Sequence, residues 1–449
     1  MDDTVPPKLF SHLSSAVDVV RTHDNVHIFS HHDADGISAA IILARTMMRA
    51  GKGFTVTLFS TLNDDTMNEV RNCRAKCILV ADMGASYLKE LDDIDADVIV
   101  LDHHRGDLSV SLRRMHHINP HSFGIDGMTA GCGASMAMLF SVTFDPGNWD
   151  LVQIAFAGIV GDKQHLKGLE GINRYLFSEG SKRGFVSRVE GQLVPPGDLI
   201  SSLFLSVDPY VRGVSGNAGG VSALLADAGI DTTRSTSDLN DAERRKLSSL
   251  AAVKLLGQGV RTETMDEMVC VGYKLRDWNV DAGSFASILN SCGRSGKGGA
   301  GIGYGLRDKK CTSEAVAIDE ESRKDMLSAV MGLDARGLSQ MKNIQFFDNS
   351  SSGFTGMLCE IAVRYIGTPE KPAVGLSTSE GMTKVSSRCT RELLRSGADL
   401  SVAMRESGMS VGGGGGGHRI ASGAWFPAGR EKEFLDALDR IIGEQLSAK

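Results

Sequence analysis

Ser-His-His-Asp-Ala-Asp-Gly-Ile-Ser, residues 30–38, is the stretch on which the fold reading turns. It follows a β-branched and aromatic run at 26–29, which predicts a buried strand. It leads into an apolar run at 37–50 rich in Ala, Leu and Met, which predicts a helix. His31, Asp33 and Asp35 therefore stand where a strand gives way to a helix, which is where ligands bind in an open α/β sheet. Their i, i+2, i+4 spacing puts all three on one side of an extended segment. Two carboxylates and an imidazole placed there need a cation between them, and a divalent metal is the economical choice. Gly36 permits the tight turn into the helix, whose N-terminal amides favour a nearby anion. An Asp before a helix is also commonly no more than an N-cap. The metal reading therefore requires further ligands at other strand ends.

The chain supplies them. Strand patterns at 54–60, 77–80 and 98–101 alternate with helical patterns at 65–73 and 87–94. This βαβ rhythm predicts an α/β fold with a doubly wound parallel sheet. The strand at 77–80 ends at Ala81-Asp82-Met83-Gly84, and that at 98–101 ends at Asp102-His103-His104. Buried helices are predicted at 131–140 and 151–160, the second ending at Gly161-Asp162. All C-terminal strand ends of a parallel sheet lie on one edge, so these groups can converge. Taken singly, Asp82 reads as a turn residue and His103 as a surface histidine. Jointly they are what a two-metal centre requires, with a bridging carboxylate and ions about 3.5–4 Å apart. Carboxylates and imidazoles without thiolate favour Mn²⁺ or Mg²⁺.

Bulk properties set the frame. The chain has 449 residues, 42% hydrophobic and 23% charged, which is ordinary globular composition sufficient for two or three domains. No apolar run is long enough to span a bilayer, and the N-terminus lacks signal-peptide features, so a cytoplasmic protein with no membrane partner is expected. Eight scattered cysteines without Cys-x-x-Cys read as reduced, mostly buried thiols. The net charge of −7 argues against an extensive coat of non-specific DNA, although a local basic groove would suffice for nucleic acid.

Taken together, the motifs resemble those of the DHH phosphoesterase superfamily. His31 to Gly36 looks like its first motif, Asp82 in Val-Ala-Asp-Met-Gly its second, Asp102-His103-His104 its third, and Asp162 in Gly-Ile-Val-Gly-Asp its fourth. Near the C-terminus, Gly415-Gly416-Gly417-His418-Arg419-Ile420-Ala421-Ser422-Gly423 resembles the glycine-rich motif of the DHH-associated domain. The wording at 31–38, with Asp208-Pro209-Tyr210 and the later Ser-Gly-Asn, looks most like archaeal RecJ-like exonucleases. Those are similar in turn to the DHH-like cofactor subunit of the replicative helicase. The resemblance implies that His31 and Asp33 bind one metal, that Asp35, His103 and Asp162 bind the other, and that Asp82 bridges. It also implies that His104 faces the scissile phosphate, and that Arg388, His418, Gly416 and Gly417 grip substrate from across a cleft. Subunit-type relatives have lost metal ligands; this chain keeps each one, which argues against a purely structural role.

The expected organisation is a DHH domain at 1–215, a linker and middle region at 216–345, and a smaller α/β DHH-associated domain at 346–449. In the middle region, 239–256 reads as a helix with acids early and Lys later. Residues 290–299 read as a basic glycine-rich loop in which Arg294 and Lys297 would contact phosphates. Further on, 412–417 reads as a glycine loop whose amides would face an oxyanion. Trp425 and Phe426 read as core or as base-stacking residues.

The expectation is thus a Mn-dependent two-metal phosphodiesterase acting as an exonuclease on single-stranded DNA or RNA. The ions bring a water toward neutral pKa, and His104, Arg388 and His418 help offset charge on the phosphate. A place in DNA replication or repair, with the GINS/MCM helicase or single-strand-binding proteins as partners, rests on the resemblance alone. The alternatives are an oligoribonuclease or (cyclic) dinucleotide phosphodiesterase, and a replication scaffold with residual nuclease activity.

Overall fold

Strand β1 (Asn25–His31) carries the motif and sits second in a five-stranded sheet. Its neighbours are β2 (Gly53–Phe59) on one side and β3 (Cys77–Ala81) on the other, followed by β4 (Asp97–Leu101) and β5 (His116–Ile118). The order is β2-β1-β3-β4-β5 and each pairing is parallel. The central strands β3 and β4 are apolar on both faces, as a sheet covered on both sides requires. In β3, Cys77, Leu79 and Ala81 join one core while Ile78 and Val80 join the other, and Ile99/Leu101 and Val98/Val100 of β4 divide in the same way. The first core is filled by α1 (Pro7–Arg21), α2 (Ala34–Arg49), α5 (Gly133–Phe144) and α6 (Val152–Gly161). The second is closed by α3 (Asp64–Arg71) and α4 (Leu88–Asp92). The doubly wound α/β reading is therefore correct. The strand order reverses between β1 and β3, and the crevice at such a switch point is where ligands bind in this architecture.

The computed structural model describes residues 5–107, 109–191, 193–195, 197–269, 271–349 and 353–447. The chain forms two compact units, Met1–Gly191 with Val269–Ser322, and Gln192–Met268 with Arg323–Lys449. The stretch 216–345 is thus shared between the units. Its part within the first unit contains the helix Ala282–Arg294, whose Phe285, Leu289 and Cys292 enter the same core as α2. Asn290 on that helix accepts the Ala34 amide at 2.9 Å, capping the first turn of α2 beside the motif.

Two expected loops are regular structure. Residues 290–299 are the end of that helix, a short turn, and the start of the helix Gly298–Gly305. Arg294 sits in the last turn with its guanidinium donating to Ser291 Oγ at 3.3 Å. The glycine run is an edge strand, Gly414–His418, in a six-stranded mixed sheet of the second unit. From that edge the sheet runs through Ala421–Pro427, Met382–Arg388, Ala373–Ser379 and Gln345–Asp348 to Ser339–Gln340. The run is glycine because the helix Leu400–Ser410 packs on bare strand backbone: a Cβ on Gly415 would lie 2.6 Å from the Met404 carbonyl oxygen, and one on Gly408 would lie 2.4 Å from that of Gly414. Phe426 is core, fully buried and stacked on Phe434 with ring centres 4.7 Å apart, whereas Trp425 beside it is exposed. The seven described cysteines are free thiols; Cys270 lies outside the described residues. No helix among the described residues is long and apolar enough to cross a membrane.

Candidate metal centre

The C-terminal ends of β1, β3 and β4 and of α6 bring six side chains together. One group is His31, Asp33 and Asp82, a second is Asp35, His103 and Asp162, and within each the donor atoms lie within 4.8 Å of one another. His31 Nδ1 lies 3.0 Å from Asp33 Oδ2 and 3.6 Å from Asp82 Oδ2. His103 Nε2 lies 3.2 Å from Asp82 Oδ1 and 3.7 Å from Asp35 Oδ2. Asp82, with a side chain only 2% exposed, thus stands between the two groups.

Both imidazoles are oriented from behind. His103 Nδ1–H donates to the Gly127 carbonyl at 2.7 Å, and His31 Nε2–H donates to that of Ser60 at 3.1 Å. A carbonyl can only accept, so in each neutral ring the remaining nitrogen turns a lone pair toward carboxylates. Two lone-pair acceptors facing one another at this range require a cation between them or a proton on the ring. The same back-bonding to a carbonyl accompanies metal-ligating histidines. Asp82 Oδ1 is buried and accepts no hydrogen bond despite its closeness to His103. The donor set, the ring orientations and that orphaned oxygen fit divalent cations.

The electrostatics agree. Burial opposes protonation of His31, but adjoining Asp33 and Asp82 outweigh it and push the ring up to about 11. Burial likewise opposes His103, and Asp82 with Asp162 drives it well above its ordinary value. Asp35 is raised well above the usual carboxylate range by burial and then by Asp82 and Asp162. Burial first, together with the charges of Asp82 and Asp33, takes Asp162 up to about 6. For Asp82, burial is outweighed by His103 and His31, which hold its carboxyl well below the usual range. A cluster in which four members are all pushed toward their protonated forms is short of positive charge.

Each position in the cluster has a local cause. Asp33 is the N-cap of α2, its Oδ1 accepting Gly36 N–H at 3.0 Å, which leaves Oδ2 toward His31. The cap occupies only one carboxylate oxygen, so the cap and the metal readings of this residue are compatible. Asp35 reaches across to the first turn of α5, accepting Gly133 N–H at 2.7 Å and Ala134 N–H at 2.9 Å, where the helix dipole favours an anion. Asp82 is in the left-handed region with φ 56, a strained conformation found at functional sites. Asp102 is spent on structure: it accepts from the amides of Ala85, His103 and His104 and from His104 Nδ1. That last bond fixes the tautomer of the half-exposed His104, leaving Nε2 without its proton in the neutral ring.

Residues 25–159 match the DHH family, N-terminal domain, and residues 347–444 match the DHHA1 domain. The chain belongs to the DHH superfamily. It is 28% identical over 435 residues to MJ0831, an uncharacterized protein of Methanocaldococcus jannaschii, with 95% of each chain covered. Its fold is similar to that of CDC45 from Entamoeba histolytica, with TM-score 0.63, 12% identity, and 97% of this chain and 98% of that one covered. It is also similar to RecJ from Thermus thermophilus in complex with Mn²⁺, with TM-score 0.61, 15% identity and 98% of this chain covered. That match covers 55% of RecJ, so the chain spans about half the length of that protein.

Sequence reasoning missed several residues of this DHH centre. Gln164 Nε2 donates to Asp162 Oδ2 at 2.7 Å and to the Gly127 carbonyl at 2.8 Å. Its own oxygen accepts from Asn173, which accepts from Ser135 of α5, so a buried chain of hydrogen bonds ties Asp162 to His103's anchor. A Cβ on Gly133 would lie 2.5 Å from Asp82 Cβ, and one on Gly158 would lie 2.7 Å from Asp35 Oδ1. The Asp-x-Gln spacing at 162–164 was the one available signal. Of the remaining expected residues, Arg388, Gly416, Gly417 and His418 lie in the second unit. Ala421 is in register with Arg388 on one side and His418 on the other, so the three share one face of the sheet. Gly416 and Gly417 lie on the same edge strand as His418, and Arg294 belongs to the first unit.

Proposed function

We propose that this DHH chain is a Mn²⁺-dependent, two-metal phosphodiesterase acting as an exonuclease on single-stranded DNA or RNA. The observation that carries the reading is the pair of His/Asp groups that meet at Asp82, each with an imidazole back-bonded to a carbonyl. His31, Asp33 and Asp82 would hold one ion, and Asp35, His103 and Asp162, with Asp82 shared, the other. Two divalent ions there supply the acidity that makes water a nucleophile near neutral pH and offset charge on the phosphorus oxygens. His104, oriented by Asp102, presents Nε2 as a group that binds a phosphate oxygen when protonated; burial opposes that proton, and Asp102 raises the ring's pKa. Arg388 and His418 supply positive charge for the phosphates, and Gly416 and Gly417 a surface without side chains on which a strand can lie.

The experiment is digestion of matched DNA and RNA strands labelled at either end, with Mn²⁺, Mg²⁺ or chelator. Stepwise release of mononucleotides from one end, lost with chelator and in Asp82→Ala, is expected. Intact strands with every divalent ion refute the reading. Association with the GINS/MCM helicase or single-strand-binding proteins, in replication or repair, is a further part of the proposal. Its support is the resemblance and the fold shared with CDC45. Co-purification of those partners by Asp82→Ala as well as by the parent chain tests it.

A further inference from the structure

The sheet of the second unit has one face packed on a core and one face half open. Val374, Leu376, Val385, Ala424 and Phe426 point to the core under the helices Leu400–Ser410 and Glu431–Ser447. On the other face the helix Thr355–Ile361 lies over Ala373–Ser379 and over the Ser386–Arg388 end of the next strand: a Cβ on Gly375 would meet Thr355 at 2.7 Å and Cys359 Sγ at 3.0 Å, and one on Gly356 would lie 3.2 Å from the Arg388 guanidinium. Across the remaining strands of that face the register lines up Lys384, Trp425 and Gly414 in one row, Ser386, Gly423 and Gly416 in the next, and Arg388, Ala421 and His418 in the last. Lys384, Gly416, His418 and Trp425 are exposed.

Three properties of this surface coincide. On its two outer strands the middle row is glycine, Gly423 and Gly416, so no side chain stands between Trp425 and Ala421 or between Gly414 and His418. Its charged residues are all basic or imidazole, with no carboxylate among these strand positions. And it displays an indole, 53% exposed, whose ring lies against Gly414; a Cβ there would be 3.1 Å from the ring. A tryptophan left in water next to a buried Phe426 on the same strand costs apolar burial, and backing by a glycine leaves its other side for a planar ligand. We propose that this half-face is a base-stacking subsite for single-stranded nucleic acid, with Trp425 as the platform and Lys384 as the phosphate contact beside it. The proposal deepens the exonuclease reading and rests on it for the choice of a nucleic-acid chain as ligand. Four residues along the strand separate Trp425 from Ala421, about 13 Å at strand rise. A stacked strand advances about 3.4 Å per nucleotide, so roughly two to four nucleotides fit between the rows, depending on how stretched they are. A dinucleotide gripped at Arg388 and His418 would therefore fall short of Trp425.

Indole emission reads the subsite directly, since Trp149 packs edge-on to Tyr175 and Trp278 to Phe285, while Trp425 faces solvent. The full chain is titrated in chelator, where no hydrolysis occurs, with oligothymidylates from about two to about twelve nucleotides. Emission is expected to fall only with strands longer than about four nucleotides, and the change to be absent in Trp425→Phe. In the metal-loaded chain, Trp425→Ala should lower the ratio of dodecamer to dinucleotide kcat/KM by about 5- to 150-fold, through KM, with Trp425→Phe recovering most of it. Both variants should keep the parent's Tm. Quenching without hydrolysis of any strand keeps the subsite and rejects the exonuclease reading. Hydrolysis with no quenching and an unchanged ratio in Trp425→Ala rejects the subsite and keeps the enzyme. Failure of both rejects both.

Discussion

Gly133→Ala isolates the contact that seats Asp82 between the two His/Asp groups. The new Cβ would sit 2.5 Å from Asp82 Cβ and 2.9 Å from its Cγ and Oδ1. Carbon atoms in ordinary contact stand about 3.5 Å apart, so either α5 or Asp82 must retreat by about 1 Å. Overpacking of this kind costs about 1–3 kcal/mol of stability. The effect on the centre is larger in proportion, because α5 cannot retreat without drawing its first amides away from Asp35, which they hold at 2.7 and 2.9 Å. A displacement of about 1 Å in catalytic geometry costs roughly 100-fold in rate. Mn²⁺ affinity by calorimetry, turnover on a single-stranded oligomer and thermal unfolding should all be measured on the one variant. The expected pattern is a rate loss of about 100-fold against a modest fall in Tm. Gly299→Ala is the control: it lies in a helix of the same unit, a Cβ there meets nothing within 4 Å, and helix propensity favours the change by about 1 kcal/mol. If Gly133→Ala kept affinity and rate within about twofold of Gly299→Ala, the close seating of α5 on Asp82 would not matter to the centre.

Asp102→Asn leaves an amide where a buried carboxylate accepts four bonds; whichever way it turns, a donor meets a donor. We expect a stability loss of about 1–3 kcal/mol, a turnover loss of about 10- to 100-fold, and a downward shift of the His104 pKa read by NMR. In the metal-free chain Asp162 holds its proton up to about 6 and His31 up to about 11. Both values are raised on folding, so the stability each contributes is present at low pH. That of Asp162 is lost as pH rises from its unfolded value toward about 6, and that of His31 as pH rises from its unfolded value toward about 11. Cations replace those protons, so the rise in Tm produced by Mn²⁺ should be larger near about pH 8 than near about pH 5, with proton release on binding measurable by calorimetry in two buffers. A Mn²⁺ shift independent of pH would contradict the ligand set. Phe426→Ala removes a fully buried ring from the second unit and should cost about 3–5 kcal/mol; a chemical denaturation midpoint unchanged from the parent would show the ring is not core.

The cluster is legible in the sequence because its side chains follow strands whose apolar pattern is local. Five of the six sit within a few residues of a readable strand end, and parallel topology does the rest. The first helix escapes the sequence reading, although Leu9, Leu13, Ala16, Val17 and Val20 repeat at helical spacing; an acidic and proline-containing start masks it. The support behind the ligands is opaque. Asn290 caps α2 from 256 residues away, and nothing local marks it. The glycine run misleads for a physical reason: composition alone cannot distinguish a tether from a strand stripped of side chains so that a helix can lie on its backbone. Arg294 reads as a loop residue because glycines on both sides of it act as breakers, yet Gly293 lies in the last turn of one helix and Gly298 begins the next.

The interleaving of the two units has a consequence for biosynthesis. All six clustered side chains have been synthesised once residue 162 is added, but the helix that seals the first turn of α2 arrives with Asn290. The intervening stretch of roughly 130 residues takes about 6–25 s to translate. During that interval the nascent centre lacks one wall while its carboxylates are already in place. If the cluster takes up cations as proposed, their capture during elongation would compete with completion of the unit, and ribosome-bound chains in which residue 290 has or has not emerged should differ in how fast they exchange Mn²⁺.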